Sequence, residues 1–313
     1  MNIVFMGTPE FAAYSLEKLI DSKHNVIGVV TQPDRPKGRG LKVISSPVKD
    51  IAVENNIPCF QPERPNDAEF VSTLRSLNTD AIVVVAYGHI MSKDILNIPP
   101  YGCINIHSSL LPKYRGAAPV NWAIIKGEKT IGITTMLMDE HMDTGDILLQ
   151  KQIPLLNHYT AKDLEVKLSP LGAELLVETL EGLENGSIKP TPQDHAKATY
   201  APKLKKEDGL IDWKKSSQEI HNLVRGVNPW PGAYTYMEDK LLKIWLTEIE
   251  DKRHLGSDGE ITEATKNKVV VNTGDGSLSL SEVQLEGGKR LPIKDFLQGH
   301  PLKTRTVFRT KRD

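Results

Sequence analysis

The sequence predicts an α/β domain with a parallel sheet, followed by a smaller domain built from β-strands. Residues 2–6 form a short apolar run, a helical pattern follows through Ile20, and residues 26–31 form a β-branched run. This order of strand, helix and strand is typical of a parallel βαβ unit. Residues 80–86 are a continuous apolar run, as in central strands that are covered on both faces. After residue 230, short strands separated by glycine-containing turns predominate.

The composition is that of a globular protein with two domains. The chain has 313 residues, of which 39% are hydrophobic and 25% are charged. The N-terminus has neither a basic lead nor a long apolar run, and no stretch approaches the roughly 18 apolar residues of a membrane span. We therefore expect a cytoplasmic protein that makes no membrane contact. The two cysteines, Cys59 and Cys103, show neither a disulfide framework nor metal-ligand spacing.

The first predicted helix has clear start signals. Thr8 is expected to be its N-cap, and Pro9 suits the first helical position. The βαβ order predicts a Rossmann-like sheet. The turn Gly7-Thr8-Pro9 lacks the G-x-G-x-x-G pattern, so there is little support for dinucleotide binding. Further patterns predict a helix after Pro119, helices at 48–55, 66–77 and 160–183, and strands at 103–107, 130–138 and 147–153.

The second domain is predicted to be a small β-barrel of the oligonucleotide-binding (OB) type. Residues 1–188 form the expected catalytic domain, residues 189–206 a linker rich in turn residues, and residues 207–313 the barrel. Residues 203–313 carry 20 Lys and Arg against 17 Asp and Glu, a weak sign of an anionic partner. One helix at 216–226 precedes strands at 233–237, 243–248, 259–264, 268–272 and 277–284.

A proline- and glycine-containing basic segment spans residues 32–47. Three prolines and two glycines predict a loop without regular structure. The loop carries four cations, and a long basic loop of this kind suits contact with phosphate. A plain solvated surface loop is the alternative. The cations are Arg35, Lys37, Arg39 and Lys42.

The candidate chemistry lies in residues 102–116 and in a polar loop at 139–146. Asn105 and His107 are two apart in a predicted strand and therefore share one face. An amide can stabilise an oxyanion, and a carboxylate such as Asp143 can hold an imidazole or take a proton. The chain has no G-x-S-x-G, which favours direct group transfer without a covalent enzyme intermediate. A structural Asn–His pair remains the alternative, whereas the calcium-loop pattern is absent from residues 139–146.

These motifs together resemble the folate-dependent formyltransferases. The resemblance is carried by Asn105-Ile-His107-Ser-Ser109-Leu-Leu-Pro112, with Asp143 following in Met-Asp-Thr-Gly-Asp. Within the family, the segments at 6–11, 31–40 and 228–233 are similar to the members that act on a charged tRNA. The resemblance extends from residue 2 to beyond residue 300.

The resemblance implies transfer of a formyl group from 10-formyltetrahydrofolate to the amino group of methionine on initiator tRNA. Asn105 and His107 would stabilise the oxyanion and Asp143 would relay the proton, with no metal. The implied folate residues are Ser109, Leu110, Leu111, Pro112, Tyr87, Gly88, Ile90, Met91 and Asp139. The implied tRNA contacts are Arg39, Arg35, Lys37, Lys42, Lys203, Lys205 and Lys206.

Three alternatives stay open at the level of the sequence. A related formyltransferase could act on an amino sugar or another small amine, although such an acceptor would need neither the basic loop nor the barrel. A folate-binding hydrolase could release formate to water. A non-catalytic RNA-binding protein is disfavoured by the intact Asn–His–Asp trio. We expect the protein to be a monomer.

Overall fold

The computed structural model describes residues 1–37, 42–250 and 254–312. Contacts within the chain define two compact units. Unit 1 comprises residues 1–119, 130–153 and 165–201, and unit 2 comprises residues 120–129, 154–164 and 202–313. The segment predicted as a linker therefore contributes to both units, because unit 1 extends to Ala201 and unit 2 resumes at Pro202.

Among the residues described before residue 185, the structure has nine strands and six helices. The strands are β1 (Asn2–Gly7), β2 (Asn25–Val30), β3 (Arg35–Lys37), β4 (Lys42–Ile44), β5 (Cys59–Phe60), β6 (Ala81–Val85), β7 (Cys103–His107), β8 (Thr130–Leu137) and β9 (Ile147–Pro154). The helices are α1 (Glu10–Ile20), α2 (Pro47–Glu54), α3 (Ala68–Ser76), α4 (Lys93–Leu96), α5 (Pro119–Ile125) and α6 (Ala161–Glu184).

Unit 1 is built on a seven-stranded sheet in the order β5-β2-β1-β6-β7-β8-β9. Strands β5, β2, β1, β6 and β7 run parallel to one another, as the α/β pattern predicted. All five residues of β6 are buried, which explains its unbroken apolar sequence. Strand β8 pairs with β7 in the antiparallel direction, so the sheet is mixed at this side.

Two local predictions in unit 1 were wrong. Helix α1 begins at Glu10 with Pro9 as its N-cap, one residue later than expected, and Thr8 lies before it. The segment at 32–47 was expected to lack regular structure, yet β3 and β4 form a short antiparallel hairpin. A two-stranded ribbon has only edge strands, and edge strands tolerate a proline such as Pro36 because its missing N–H leaves no internal ladder bond unmade.

Unit 2 contains an antiparallel sheet in the order β10-β11-β14-β13-β12, with β15 beside β14. Two residues of a C-terminal segment form isolated β-bridges to this sheet. Arg309 pairs with Tyr236 of β10, and Val307 pairs with Glu260, which lies next to β12. These two bridges are consistent with the predicted small barrel. The strands are β10 (Ala233–Met237), β11 (Lys240–Glu250), β12 (Ile261–Ala264), β13 (Val269–Asn272), β14 (Ser277–Leu285) and β15 (Leu291–Pro292), and the helices are α7 (Ser217–Gly226) and α8 (Ile293–Gly299).

Helix α7 carries two polar side chains into the interior of unit 2. His221 is 8% exposed, and its ring contacts the Thr247 hydroxyl at 2.9 Å and the Asn157 carbonyl at 3.0 Å. Arg225 is 3% exposed and donates to the carbonyls of Leu156 and Tyr159. Burial lowers the pKa of His221 below its ordinary value of 6.5, because the charged ring would lose its hydration.

We predict that unit 2 loses stability as the pH falls below about 6.5, because the unfolded chain then protonates His221 more readily than the folded chain does. The contribution of neutral His221 to the free energy of unfolding is fully present above the pKa of the histidine in the unfolded chain. It is lost as the pH falls towards the lower pKa of His221 in the folded chain. All four tryptophans, at positions 122, 213, 230 and 245, lie in unit 2, so tryptophan fluorescence reports on its urea unfolding. His221→Gln should make the stability of unit 2 depend less on pH between pH 8 and pH 5.5. An unchanged pH dependence in this variant would show that His221 is not its cause.

Candidate active site

Strand β7 presents the amide and the imidazole on one face, as their spacing predicted. Asn105 pairs with Val84 of the parallel strand β6 and with Met136 of the antiparallel strand β8. It is partly exposed, and within the described part of the chain its side chain forms no hydrogen bond. The Asn105 amide is thus a donor available to a bound molecule.

The ring of His107 has a defined orientation. The residue is 6% exposed, and its Nε2 lies 2.9 Å from the carbonyl oxygen of Tyr114. A carbonyl oxygen can only accept, so Nε2 carries a hydrogen and donates it. The other ring nitrogen, Nδ1, is 3.7 Å from Oδ2 of Asp143. The nitrogen that faces the carboxylate is therefore the one left for chemistry.

Asp143 reaches His107 from an unexpected direction. Its loop follows β8, whose last residue, Leu137, pairs with Ile104 near the start of β7. The loop therefore starts beside the amino end of β7 and returns to His107 near the carboxyl end. Oδ2 of Asp143 accepts a hydrogen bond of 2.7 Å from the backbone N–H of Gly116. The Asp143 backbone has φ = +56°, in the left-handed region that non-glycine residues seldom adopt.

Two polar side chains form hydrogen bonds to the backbone of residues 109–112, the segment predicted to line a folate pocket. Thr134 donates to the Ser109 carbonyl at 2.6 Å and accepts from the Leu111 N–H at 3.1 Å. Gln150 donates to the Leu111 carbonyl at 2.9 Å and to the Thr134 hydroxyl at 2.8 Å. The Ser109 hydroxyl is buried and donates to the Lys113 carbonyl, which leaves Leu110 and Pro112 as the partly exposed members.

The other predicted folate residues divide into supporting and exposed groups. Tyr87 and Met91 are buried, and burial raises the pKa of Tyr87 to about 12. Gly88 has φ = +87° and is exposed, as is Ile90 at 65%. The Asp139 carboxylate accepts from the His141 N–H and from the Thr144 hydroxyl, and so shapes the loop that carries Asp143.

The sequence did not predict the roles of two buried side chains, Arg115 and Gln193, that support the loop of Asp143. Arg115 is 3% exposed and donates to Gln193, which in turn donates to backbone carbonyls of the Asp143 loop. The backbone of Arg115 is bonded on both sides to residues 199 and 201. The position of Arg115 within the candidate stretch 102–116 was the available signal, whereas nothing local marked Gln193.

The predicted tRNA contacts are distributed over both units. Arg35 is exposed on the β3–β4 hairpin of unit 1, and Lys203, Lys205 and Lys206 are exposed in unit 2. Lys37 and Lys42 pair through their backbones in that hairpin, and Arg39 lies outside the described residues. No cluster of His, Cys, Asp and Glu that could hold a metal ion occurs within residues 1–37, 42–250 and 254–312. None of the helices described is long and apolar enough to span a bilayer.

Two family models match the chain. The model described as Formyl transferase matches residues 1–180, and the model described as Formyl transferase, C-terminal domain, matches residues 203–301. The chain belongs to the formyl transferase family. Among curated relatives, the methionyl-tRNA formyltransferase of Acetivibrio thermocellus is 50% identical over 301 residues, covering 96% of this chain and 97% of the relative. That of Clostridioides difficile is 49% identical over 308 residues, covering 98% and 100%.

Solved structures share the fold at lower identity. An N-formyltransferase from Helicobacter canadensis, solved with folinic acid and dTDP-3-aminofucose, has a TM-score of 0.67 at 19% identity and covers 92% of this chain and 99% of its own. HypX from Aquifex aeolicus, solved with tetrahydrofolic acid, has a TM-score of 0.64 at 21% identity and covers 99% of this chain and 50% of its own. Both likenesses show that the fold is shared over more than nine tenths of this chain.

We predict that Thr134→Val lowers the free energy of unfolding by about 1–3 kcal/mol, because it leaves the buried Leu111 N–H without its acceptor. Urea denaturation measures this loss. Thr130→Val, at the exposed start of the same strand, is the matched control and should change stability by less than about 0.5 kcal/mol. Equal effects of the two substitutions would remove Thr134 from the support of the 109–112 segment.

Proposed function

We propose that this protein transfers a formyl group from 10-formyltetrahydrofolate to the α-amino group of methionine carried by initiator tRNA. The observation that carries the proposal is the convergence of the Asn105 amide, the His107 Nδ1 and the Asp143 carboxylate in a chain that matches methionyl-tRNA formyltransferases over nearly its whole length. The product, formylmethionyl-tRNA, starts translation, and this role supports a cytoplasmic location.

The residues around the trio fit a folate. Leu110, Pro112 and Ile90 offer apolar surface for a flat ring, and the backbone of residues 87–91 offers polar groups at its edge. The exposed Met142, beside Asp143, adds a flexible apolar side chain. When bound there, 10-formyltetrahydrofolate supplies an activated formyl group.

The mechanism needs stabilisation of an oxyanion. The methionine amine attacks the formyl carbon, and negative charge develops on the formyl oxygen. The Asn105 amide, which is free of internal hydrogen bonds among the described residues, donates to that oxygen. A hydrogen on Nδ1 of His107 stabilises the same charge, while the Nε2–H bond to Tyr114 keeps the ring from rotating.

The amine must also lose a proton as its bond to the formyl carbon forms. The Asp143 carboxylate, held by the Gly116 N–H and 3.7 Å from His107 Nδ1, balances the imidazolium charge and relays this proton, through water where needed. The proton is finally delivered to the leaving nitrogen of the folate, so that the carbon–nitrogen bond there breaks as a neutral amine departs.

In the proposed function, the acceptor is recognised by groups other than the trio. Four cations of the sequence segment 32–47, and three exposed lysines at the start of unit 2, suit contact with tRNA phosphates. The cations of the segment are Arg35, Lys37, Arg39 and Lys42, and the lysines are Lys203, Lys205 and Lys206. A single copy contains both the trio and these cations, which supports action as a monomer.

The acceptor specificity is tested by a formyl-transfer assay with charged initiator tRNA, charged elongator tRNA and free methionine. We expect rapid transfer to initiator tRNA, with a KM for tRNA that rises steeply with salt because phosphate contacts release counterions. Free methionine should be a poor acceptor. Equal transfer to free methionine or to an amino sugar would favour a small-amine formyltransferase, and formate release without an acceptor would favour a hydrolase.

We predict that Asp143→Asn lowers kcat by about 10²–10⁴-fold, because the amide can neither balance the imidazolium nor relay the proton. Binding of tetrahydrofolate, measured by fluorescence titration, should persist. Glu140→Gln, which neutralises an exposed carboxylate of the same loop, is the control and should keep the wild-type rate. A wild-type rate in Asp143→Asn would remove Asp143 from the mechanism.

A further inference from the structure

We propose that Gln193 is a positioning residue for the reaction, which holds the loop of Asp143 in the backbone conformation that aims its carboxylate at His107. This inference rests on the proposed function, because it assigns Gln193 a role through Asp143. Gln193 lies 50 residues from Asp143 in the chain, within the segment that sequence patterns predicted to be a linker. It belongs to unit 1, as do all its partners named here.

The side-chain amide of Gln193 is fully engaged. Oε1 accepts two hydrogen bonds from the Arg115 guanidinium, at 3.2 Å from Nε and 2.7 Å from Nη2. Nε2 donates to the carbonyls of Asp143 at 3.0 Å and of Gly145 at 2.7 Å. A guanidinium only donates and carbonyls only accept, so the amide has one possible orientation. A carboxylate of the same shape could satisfy one side only.

The Asp143 loop needs such external support. The left-handed backbone of Asp143 costs on the order of 1 kcal/mol, and conformations of this kind persist only where neighbours impose them. The two carbonyls that Gln193 binds flank Thr144, so both ends of the turn are fixed relative to one amide. At Gly145 the backbone passes so close to the Leu137 carbonyl that an added Cβ would lie 1.7 Å from its oxygen. The turn therefore has little freedom to compensate for a lost hydrogen bond.

Arg115 connects this support to the other side of the trio. The residues on either side of Arg115 bind the trio through their backbones. The Tyr114 carbonyl accepts a hydrogen bond from His107, and the Gly116 N–H donates one to the Asp143 carboxylate. The Arg115 backbone is itself bonded to Thr199 and Ala201, and its Nη2 lies 3.1 Å from Nδ1 of His195. Buried Arg115 and Gln193 thus fix His107 and Asp143 relative to each other without touching a substrate.

The decisive variant is Gln193→Glu. Glutamate retains the acceptor for Arg115 and adds a charge opposite the guanidinium, so the fold should be preserved. Its second oxygen, however, faces the carbonyl oxygens of Asp143 and Gly145 where a donor is required, and the loop must shift. We expect kcat to fall by about 10–100-fold, the loss associated with a displacement of about 1 Å at a reacting group, while KM for folate and tRNA stays within about threefold.

Two further variants make the result interpretable. Gln152→Glu makes the same change at an exposed position of β9 and should leave both kinetic constants unchanged. Gln193→Ala removes the two hydrogen bonds from Arg115 and the two to the Asp143 loop. When assayed below its melting temperature, this variant should show the same fall in kcat as Gln193→Glu, with KM unchanged. If Gln193→Glu loses its fold, the kcat-to-KM split in Gln193→Ala decides the question.

The inference is overturned if Gln193→Glu is folded and turns over at the wild-type rate, since Gln193 would then serve only as a hydrogen-bond acceptor for Arg115. In that case an inactive Asp143→Asn would still support the proposed function. If instead Asp143→Asn also keeps the wild-type rate, the proposed mechanism itself fails, so the two failures are distinguishable.

Discussion

The hydrogen bond from His107 to the Tyr114 carbonyl is the interaction on which the site depends. It joins the end of strand β7 to the segment that follows it, and it assigns one ring nitrogen to the backbone and the other to Asp143. Without it, the ring could rotate and present either nitrogen to the carboxylate. A carbonyl acceptor serves this purpose better than a second carboxylate would, because it fixes the ring without adding a charge beside the oxyanion site.

That carbonyl is in turn held by residues between the two family matches. The matched ranges end at 180 and resume at 203, yet Gln193, Thr199 and Ala201 bind the backbone or side chains around the trio. The Tyr114 N–H donates to the Thr199 hydroxyl at 2.9 Å, and the Arg115 N–H, which shares a peptide group with the Tyr114 carbonyl, donates to the Thr199 carbonyl at 2.8 Å. Unit 1 therefore ends only at Ala201, and its last segment supports the residues of the proposed site.

The sequence predicted those features that follow from local periodicity. The shared face of Asn105 and His107 follows from strand geometry, and the central position of β6 follows from its unbroken apolar run. Features that depend on distant partners were not predictable. The β3–β4 hairpin was missed because Pro36 reads as a breaker, and Gln193 because an amide carries no spacing signal and acts 50 residues away. The same holds for the C-terminal bridge to β10 and for the antiparallel direction of β8.

The separation between buried and exposed polar groups assigns chemistry and specificity to different parts of the chain. His107, Arg115 and Gln193 are each less than 10% exposed, so their interactions are shielded from mobile ions and act equally on any bound amine. Of the cations proposed for tRNA, Arg35, Lys203, Lys205 and Lys206 are exposed, where attraction is screened within about 8 Å at physiological salt and contributes mainly to encounter and affinity. The proposed trio by itself cannot select an acceptor, because every amine would present the same nucleophile to it. In the proposed mechanism, selection therefore depends on residues outside the buried network, and it can change without any change in that network.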